Sequence, residues 1–211
     1  MLSGGTFDPR RLLGIPALYE ACQKSLARQG GPDRLVHEFL KIGPGQRVLD
    51  IGCGTGAILT LLPRDIGYCG FDPNPDYIAA ARRRYGNRGT FLVRATSPGE
   101  AVAHMGEFDV AMAVGVLHHL GDEAAGALFA CAAEALRPGG RVVTCDGAYV
   151  AGQSPIARAL LALDRGRHVR TPEAYLALAR RHFPGATATL VHDLLVLPYT
   201  HCFIEARKPS A

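Results

Sequence analysis

Three groups of residues in this sequence have the types and spacing to do chemistry. The first is the string R-V-L-D-I-G-C-G-T-G over residues 47–56, in which Asp50 is followed by Gly52, Gly54 and Gly56 at alternate positions. Glycines this close cost backbone entropy, and the compensation is that a ligand can lie directly on the main chain, met by N–H groups and a helix N-terminus. Asp50 interrupts an apolar run, and a buried carboxylate is costly unless something satisfies it; a donor-rich or cationic ligand would do so. The second is Asp72, about 20 positions past Gly52, where a ribose-binding carboxylate falls in a βαβ nucleotide site. Its two oxygens can accept from both ribose hydroxyls. The third is the pair His118-His119. Histidine, with a reference pKa of ~6.5, suits removal of a proton near neutrality. Glycine spacing by itself does not choose the ligand, because Gly52, Gly54 and Ala57 also satisfy the G-x-G-x-x-A dinucleotide fingerprint.

The elements that must position these groups alternate along the chain. Val48, Leu49 and Ile51 read as a buried strand, and Ala57–Leu62 as a short helix stopped by Pro63. Gly67–Phe71 is a second strand ending at Asp72-Pro73-Asn74-Pro75, and a helix is predicted over Asp76–Tyr85. Arg82, Arg83 and Arg84 fan around that helix, so a solvated face is the better reading than a phosphate contact. Strands follow at Thr90–Val93, at Phe108–Val114, which runs into Gly115-Val116-Leu117-His118-His119, and at Arg141–Asp146, with a helix over Glu123–Leu136 between the last two. Ahead of the first strand, a helix is expected after Pro16, carrying Tyr19. Another is expected over Asp33–Lys41 with Asp33 as its cap. Strands alternating with helices imply an α/β fold, a doubly wound, mostly parallel seven-stranded sheet with helices on both faces and an antiparallel last strand. Ligands in such sheets bind outside the carboxyl ends of the strands, so the loops at 52–56, 72–75, 94–97, 115–119 and 146–149 are expected to line one cleft.

Composition narrows the class. The 211 residues suit one domain, 48% are hydrophobic, and the net charge of +4 with a pI near 8.8 is well short of a dedicated nucleic-acid binder. None of the six cysteines forms a Cys-x-x-Cys pair, so no metal site is expected and reduced thiols are the simplest account. Without an apolar signal core or a long apolar run, the chain reads as soluble and cytoplasmic, with no membrane partner.

The full string V-L-D-I-G-C-G-T-G resembles the first motif of class I S-adenosylmethionine (SAM)-dependent methyltransferases. F-D-V-A-M-A-V-G-V-L-H-H-L resembles the family's later motif, and Leu136-Arg137-Pro138-Gly139-Gly140 its L-x-P-G-G turn. The resemblance implies SAM as cofactor. Its methionine part would run over Asp50, Gly52, Cys53, Gly54 and Gly56, and its ribose would lie at Asp72 and Pro73. Gly115 and Val116 would flank the transferable methyl, and N-terminal helices within 1–45, with Tyr19, would cover the site. The chain departs from the family after the third strand, where Arg94-Ala95-Thr96-Ser97 stands in place of an acidic residue. Ala95 and Thr96 are therefore the candidates for adenine. On family grounds one histidine is the base. His119 is preferred, with His118 packed or orienting the loop.

Residues 147–172 are long for a strand–helix connection and are read as a substrate lid over the cleft. A helix is expected from Ser154 or Pro155 through Leu163, and another after Thr171-Pro172 up to about His182. Arg165 and Arg170 are candidates for holding an anionic group of the acceptor, with Asp164 as a pairing partner. Tyr149, Tyr199 and His201 are further candidates for the substrate mouth, the last two from a closing hairpin of Thr187–Val196 and Thr200–Ala206. The expected partner is a small molecule rather than nucleic acid. An RNA or protein methyltransferase, a SAM-binding enzyme of another reaction and a nicotinamide oxidoreductase remain as alternatives, and the oligomeric state is not readable.

Overall fold

The computed structural model describes residues 28–95, 108–163 and 166–210. The expectations for Tyr19, Thr96, Ser97, Asp164 and Arg165 fall outside them.

Helix α1 begins as a short α-turn, Gly31–Arg34, and continues as a π-helix, Leu35–Leu40. Its cap is Gly30 in the left-handed region rather than Asp33, which sits inside the first turn. Strand β1 (Arg47–Ile51) leads through the glycine loop to a 3₁₀ turn, Ala57–Thr60, tighter and shorter than the expected helix. Then come β2 (Gly67–Asp72), α2 (Pro75–Tyr85), β3 (Thr90–Val93) and β4 (Phe108–Val114). Another 3₁₀ turn, Leu117–His119, precedes α3 (Asp122–Ala135) and β5 (Leu136–Gly147). The Pro-Gly-Gly turn belongs to β5 as a register shift against Phe108–Val110, so the strand starts five residues earlier than the pattern implies. The chain closes with α4 (Pro155–Leu163), α5 (Pro172–Arg180), β6 (Thr187–Val191) and β7 (His201–Arg207). Strand β6 stops at Val191, before the expected end at Val196, and residues 192–200 form the connection.

The seven strands lie in the order β3-β2-β1-β4-β5-β7-β6. All neighbours from β3 to β5 are parallel, while β7 is antiparallel to both β5 and β6. Strand β6 therefore runs parallel to β5, and its end and the start of β7 emerge on the same edge as the end of β5. The order reverses between β1 and β4, which is the switch point where a crevice opens in such sheets.

Alternation along the strands builds two cores. Leu49, Ile51, Ala111 and Ala113 face α3 and α5, with Leu128, Phe129, Tyr175 and Phe183 fully buried. Val48, Val110, Met112 and Val143 face the other way, against Leu40 of α1, Leu59 and Ile78 of α2. Asp50 shares this second face, which is why a carboxylate ends up beneath the sheet's helical cover. Arg141 is buried there as well and donates from Nη2 to the carbonyls of Leu40 and Lys41, closing the C-terminus of α1.

Candidate active site

The glycine loop is built from the inside. Gly52, Gly54 and Gly56 all have positive φ, at 77°, 53° and 72°, where side chains are strained. Two of the three are also needed for packing. A Cβ on Gly52 would strike Val116 Cγ2 at 2.6 Å, and one on Gly56 would meet Phe91 Cε1 at 3.0 Å and Tyr85 Cδ2 at 3.3 Å. A Cβ on Gly54 would meet no atom of the described residues within 4 Å. Among the described residues, Gly54 thus borders open space.

The loop's N–H groups are not aimed outward as the spacing suggested. Gly52 and Cys53 both donate to the Phe71 carbonyl, at 2.8 and 3.0 Å, and Gly56 donates to Cys53 at 2.9 Å. Gly54 donates to Oδ2 of Asp72 at 3.1 Å. The loop is a rigid, self-satisfied ledge, and what it offers a ligand is close approach. Cys53 is buried with its sulfur against Gly70, and its thiol pKa is driven far up by burial, so it is a packing residue at the ledge.

Asp50 is 4% exposed and accepts a 2.6 Å hydrogen bond from the Tyr68 hydroxyl. The satisfaction expected from a ligand therefore comes from a neighbouring strand. Burial raises its pKa to about 7, partly opposed by the Tyr68 bond. Gly70 and Gly89 make room for the Tyr68 ring, which would touch a Cβ on either at 3.0 Å or less.

Asp72 ends β2 half-buried. Its Oδ1 accepts from the Asn74 N–H at 2.9 Å and its Oδ2 from Gly54. A carboxylate has about four lone-pair sites, so two remain for a diol. Burial raises its pKa, against the two backbone bonds. Pro73 is exposed beside it, and Asn74 caps α2 through Asp76 and Tyr77. Ala95, just past β3, is exposed.

At the tip of β4, Gly115 has φ 72° and donates to the Cys145 carbonyl at 2.7 Å. The histidines that follow differ sharply. His118 is 7% exposed, and its Nδ1 lies 2.8 Å from Oδ1 of Asp146, which also accepts from the His118 backbone N–H at 3.2 Å. His119 is exposed and stacks on it, with ring centroids 4.0 Å apart. Asp146 ends β5 almost fully buried, and burial raises its pKa while His118 works against that. Sequence reasoning placed Asp146 only at the end of a strand and missed this pairing. The available signal was an acidic residue closing the strand next to the one that ends in histidines. Among the described residues no cluster of His, Cys, Asp and Glu could hold a metal ion.

The residues offered for the acceptor separate into two sets. Arg170 has five N–H donors, and all are used: Nε and Nη2 to Asp122 Oδ1, Nη1 to the Leu117 and His168 carbonyls, Nη2 to the Leu120 carbonyl. It clasps the histidine loop and has no donor left for a substrate anion. Of the other candidates, Tyr199 faces a hollow of about 400 Å³ lined by residues 150–154, Ala157, Leu190, His192 and residues 198–200, while Tyr149 and His201 lie next to its lining in the chain without lining it. Here Gln153 Nε2 donates to Thr200 Oγ1 at 2.8 Å, and His192 Nδ1 lies 3.2 Å from the same oxygen. Gln153 Oε1 is buried without a partner among the described residues. Tyr199 lines the hollow and its ring lies 4.8 Å from that of His201. His201 is held neutral by burial, its pKa lowered to about 4. Tyr149 is covered by the Arg158 guanidinium at 5.3 Å.

The 148–170 segment is closed at its base. Ala148 bridges Arg170, Tyr149 donates to the Arg170 carbonyl at 3.1 Å, and the Tyr175 hydroxyl donates to Gly147 at 3.0 Å. Helix α4 lies within it, with Leu161 against Gly147.

With this geometry established, comparison places the chain among known proteins. The profile of a family described as a methyltransferase domain matches residues 48–140. No curated protein matches at a significant level. Among solved structures, phosphoethanolamine N-methyltransferase 2 of Haemonchus contortus, in complex with phosphomonomethylethanolamine and S-adenosylhomocysteine, is similar at TM-score 0.70 and 16% identity. The match covers 95% of this chain but only 59% of that one. A TehB-like SAM-dependent methyltransferase of Corynebacterium glutamicum gives TM-score 0.63 at 19% identity, covering 95% of this chain and 100% of that one. The (4+2)-cyclase SpnF gives TM-score 0.63 at 21% identity over 85% of this chain and 81% of that one.

Proposed function

We propose that this chain, whose residues 48–140 match a methyltransferase-domain family, is a class I SAM-dependent methyltransferase that moves the methyl group to a nucleophilic O, N or C of a small-molecule acceptor. The observation that carries the site assignment is Gly54. It holds a strained φ with nothing over it among the described residues, beside an Asp72 whose two oxygens each accept one backbone bond and keep one further acceptor site. A bare ledge and a spare carboxylate fit the methionine and ribose ends of SAM. Gly52, Cys53 and Gly56 would shape the ledge, Pro73 and Ala95 would border the nucleoside, and Gly115 and Val116 would border the methyl. When bound, SAM supplies an electrophilic methyl group on its sulfonium sulfur.

The chain's own work is positioning and proton removal. His119, exposed at the strand tip, is the proposed base. It would take the O–H or N–H proton that the acceptor must lose on being methylated. Asp146 would keep the Nδ1–H form of His118, and His118 would present a fixed ring for His119 to stack on. This pairing is the positioning device.

The hollow at residues 150–154 and 198–200 is the proposed acceptor pocket, with 147–172 as its lid. Among the described residues it is lined by no arginine or lysine. The unpartnered Gln153 Oε1 would accept from a neutral hydroxyl or amine, so an uncharged polar acceptor suits it better than an anion.

The test is transfer of a labelled methyl group from SAM in the presence of fractionated metabolites. Label should move to small molecules. Label on RNA or protein, or SAM binding without any transfer, would refute the reading. The second outcome would favour a reaction of the cyclase kind, since fold likeness to SpnF does not separate the two.

A further inference from the structure

The turn after β5 and the connection between β6 and β7 meet at one buried oxygen, Thr200 Oγ1. Thr200 is 2% exposed, and its carbonyl accepts from the Ala148 N–H at 3.0 Å. Gln153 Nε2 has two N–H donors and spends both here. One goes to the Ala148 carbonyl at 3.0 Å and the other to Thr200 Oγ1 at 2.8 Å. The amide cannot be turned round, because its oxygen would then face the Ala148 oxygen. Thr200 Oγ1 has thereby accepted a bond, and a buried hydroxyl needs an acceptor for its own proton as well. Among the described residues the other group bonded to that oxygen is Nδ1 of His192, at 3.2 Å.

This order of donors fixes the tautomer of His192. A neutral imidazole carries one N–H, and a ring whose Nδ1 accepts must carry it on Nε2. His192 is exposed and lines the 400 Å³ hollow beside the apolar Val150, Ala157, Leu190 and Pro198. What its ring can offer a ligand there is an N–H donor, since its lone pair already meets Thr200. A general base needs that lone pair, so His192 is not a second base beside His119. The hollow also reaches toward the proposed catalytic residues. A Cβ on Gly147, which follows Asp146, would collide with the Tyr199 hydroxyl of the hollow's wall.

We propose that His192 is a specificity-determining residue, donating from Nε2–H to a carbonyl oxygen of an uncharged, largely apolar acceptor molecule, a ketone or a carboxamide. A carbonyl accepts a hydrogen bond without bringing a charge that the hollow's apolar walls would penalise. Gln153 and Thr200 are positioning residues that act through His192. The proposal rests on the reading of the hollow as the acceptor pocket.

The experiment has two readouts on the full chain at pH 8.5, above the ordinary histidine range. Long-range proton–nitrogen NMR of the His192 ring should show the Nε2–H tautomer in the parent, and the Nδ1–H form should appear in Thr200→Val. Acetanilide is then titrated in parallel with N-ethylaniline, which lacks the carbonyl. The parent should prefer acetanilide by about fivefold, the scale of one neutral hydrogen bond, and His192→Ala should abolish that preference. His182→Ala, an exposed histidine elsewhere, should match the parent. An Nδ1–H ring in the parent, no preference between the two probes, or a preference that survives His192→Ala overturns the assignment. SAM is titrated into the same proteins. Absence of SAM binding in the parent strikes the methyltransferase reading alone, while normal SAM binding with any of the three contrary results strikes the His192 assignment alone.

Discussion

Nδ1 of His118 lies 2.8 Å from Oδ1 of Asp146, and both side chains are more than nine-tenths buried. They come from adjacent strand tips, those of β4 and β5, and Asp146 binds the His118 backbone N–H as well as its ring. The aspartate therefore fixes both the loop and the ring. Asp146→Asn should lower kcat by about tenfold to a hundredfold with SAM affinity within twofold. His119→Ala should lower kcat by ~10²-fold or more, within the range for general bases. Steady-state kinetics with calorimetry of SAM binding checks both. Full turnover in His119→Ala would remove it as the base.

The glycines of the loop should not behave alike. Gly52→Ala meets Val116 and a strained φ together, and should cost about 2–4 kcal/mol of stability. Gly54→Asn meets no other described residue and brings in a residue type that tolerates φ of 53°, so its cost should be about 1 kcal/mol or less. Its SAM affinity should nonetheless fall, by about 30-fold or more. Chemical denaturation and ligand titration on the two variants separate folding from binding.

Arg170 acts as a clasp on the histidine loop rather than as a substrate ligand. Arg170→Met should destabilise the chain by roughly 2–3 kcal/mol, the scale for losing several bonds from a buried charged donor to carbonyls. Arg170→Lys should recover little, because an ammonium cannot reproduce the fork. Acceptor KM should stay within about twofold while kcat falls; a rise in KM alone would restore the anion-binding role.

Two buried groups set opposite pH trends in stability. Asp50 is raised to about 7, so the folded chain holds a proton that the unfolded chain has released between the ordinary carboxylate range and pH 7. Its contribution is full in acid and is lost as pH rises through about 7. His201 is lowered to about 4, so its contribution is full above the ordinary histidine range and is lost as pH falls toward 4. Asp50→Asn should flatten the decline in melting temperature from pH 5 to 8. His201→Gln should flatten the loss from pH 6.5 to 4.5.

Much of this was legible in the residues. The order of strands and helices followed from apolar runs separated by turn signals, and both β3 and β4 begin and end where the pattern sets them. Boundaries moved where tertiary contacts outweigh local preference. β5 absorbs the Pro-Gly-Gly turn because Leu136 pairs with Phe108, and α1 relaxes into a π-helix that no periodicity announces. At the site, the positions of Asp72 and the histidines could be read from the chain, but not their partners. Tyr68 beneath Asp50 is 18 residues away, Asp146 beneath His118 is 28, and Asp122 against Arg170 is 48. Spacing along one element cannot encode a contact made between two.

The central claim is that the open ledge at Gly54 and the carboxylate of Asp72 receive SAM. Calorimetric titration of SAM into the parent chain and into Gly54→Asn tests it most directly. The account predicts binding in the micromolar range for the parent, ~8 kcal/mol, and a loss of about 30-fold or more in a variant that remains folded. Equal affinity in the two proteins, or no heat of binding from the parent, would contradict it.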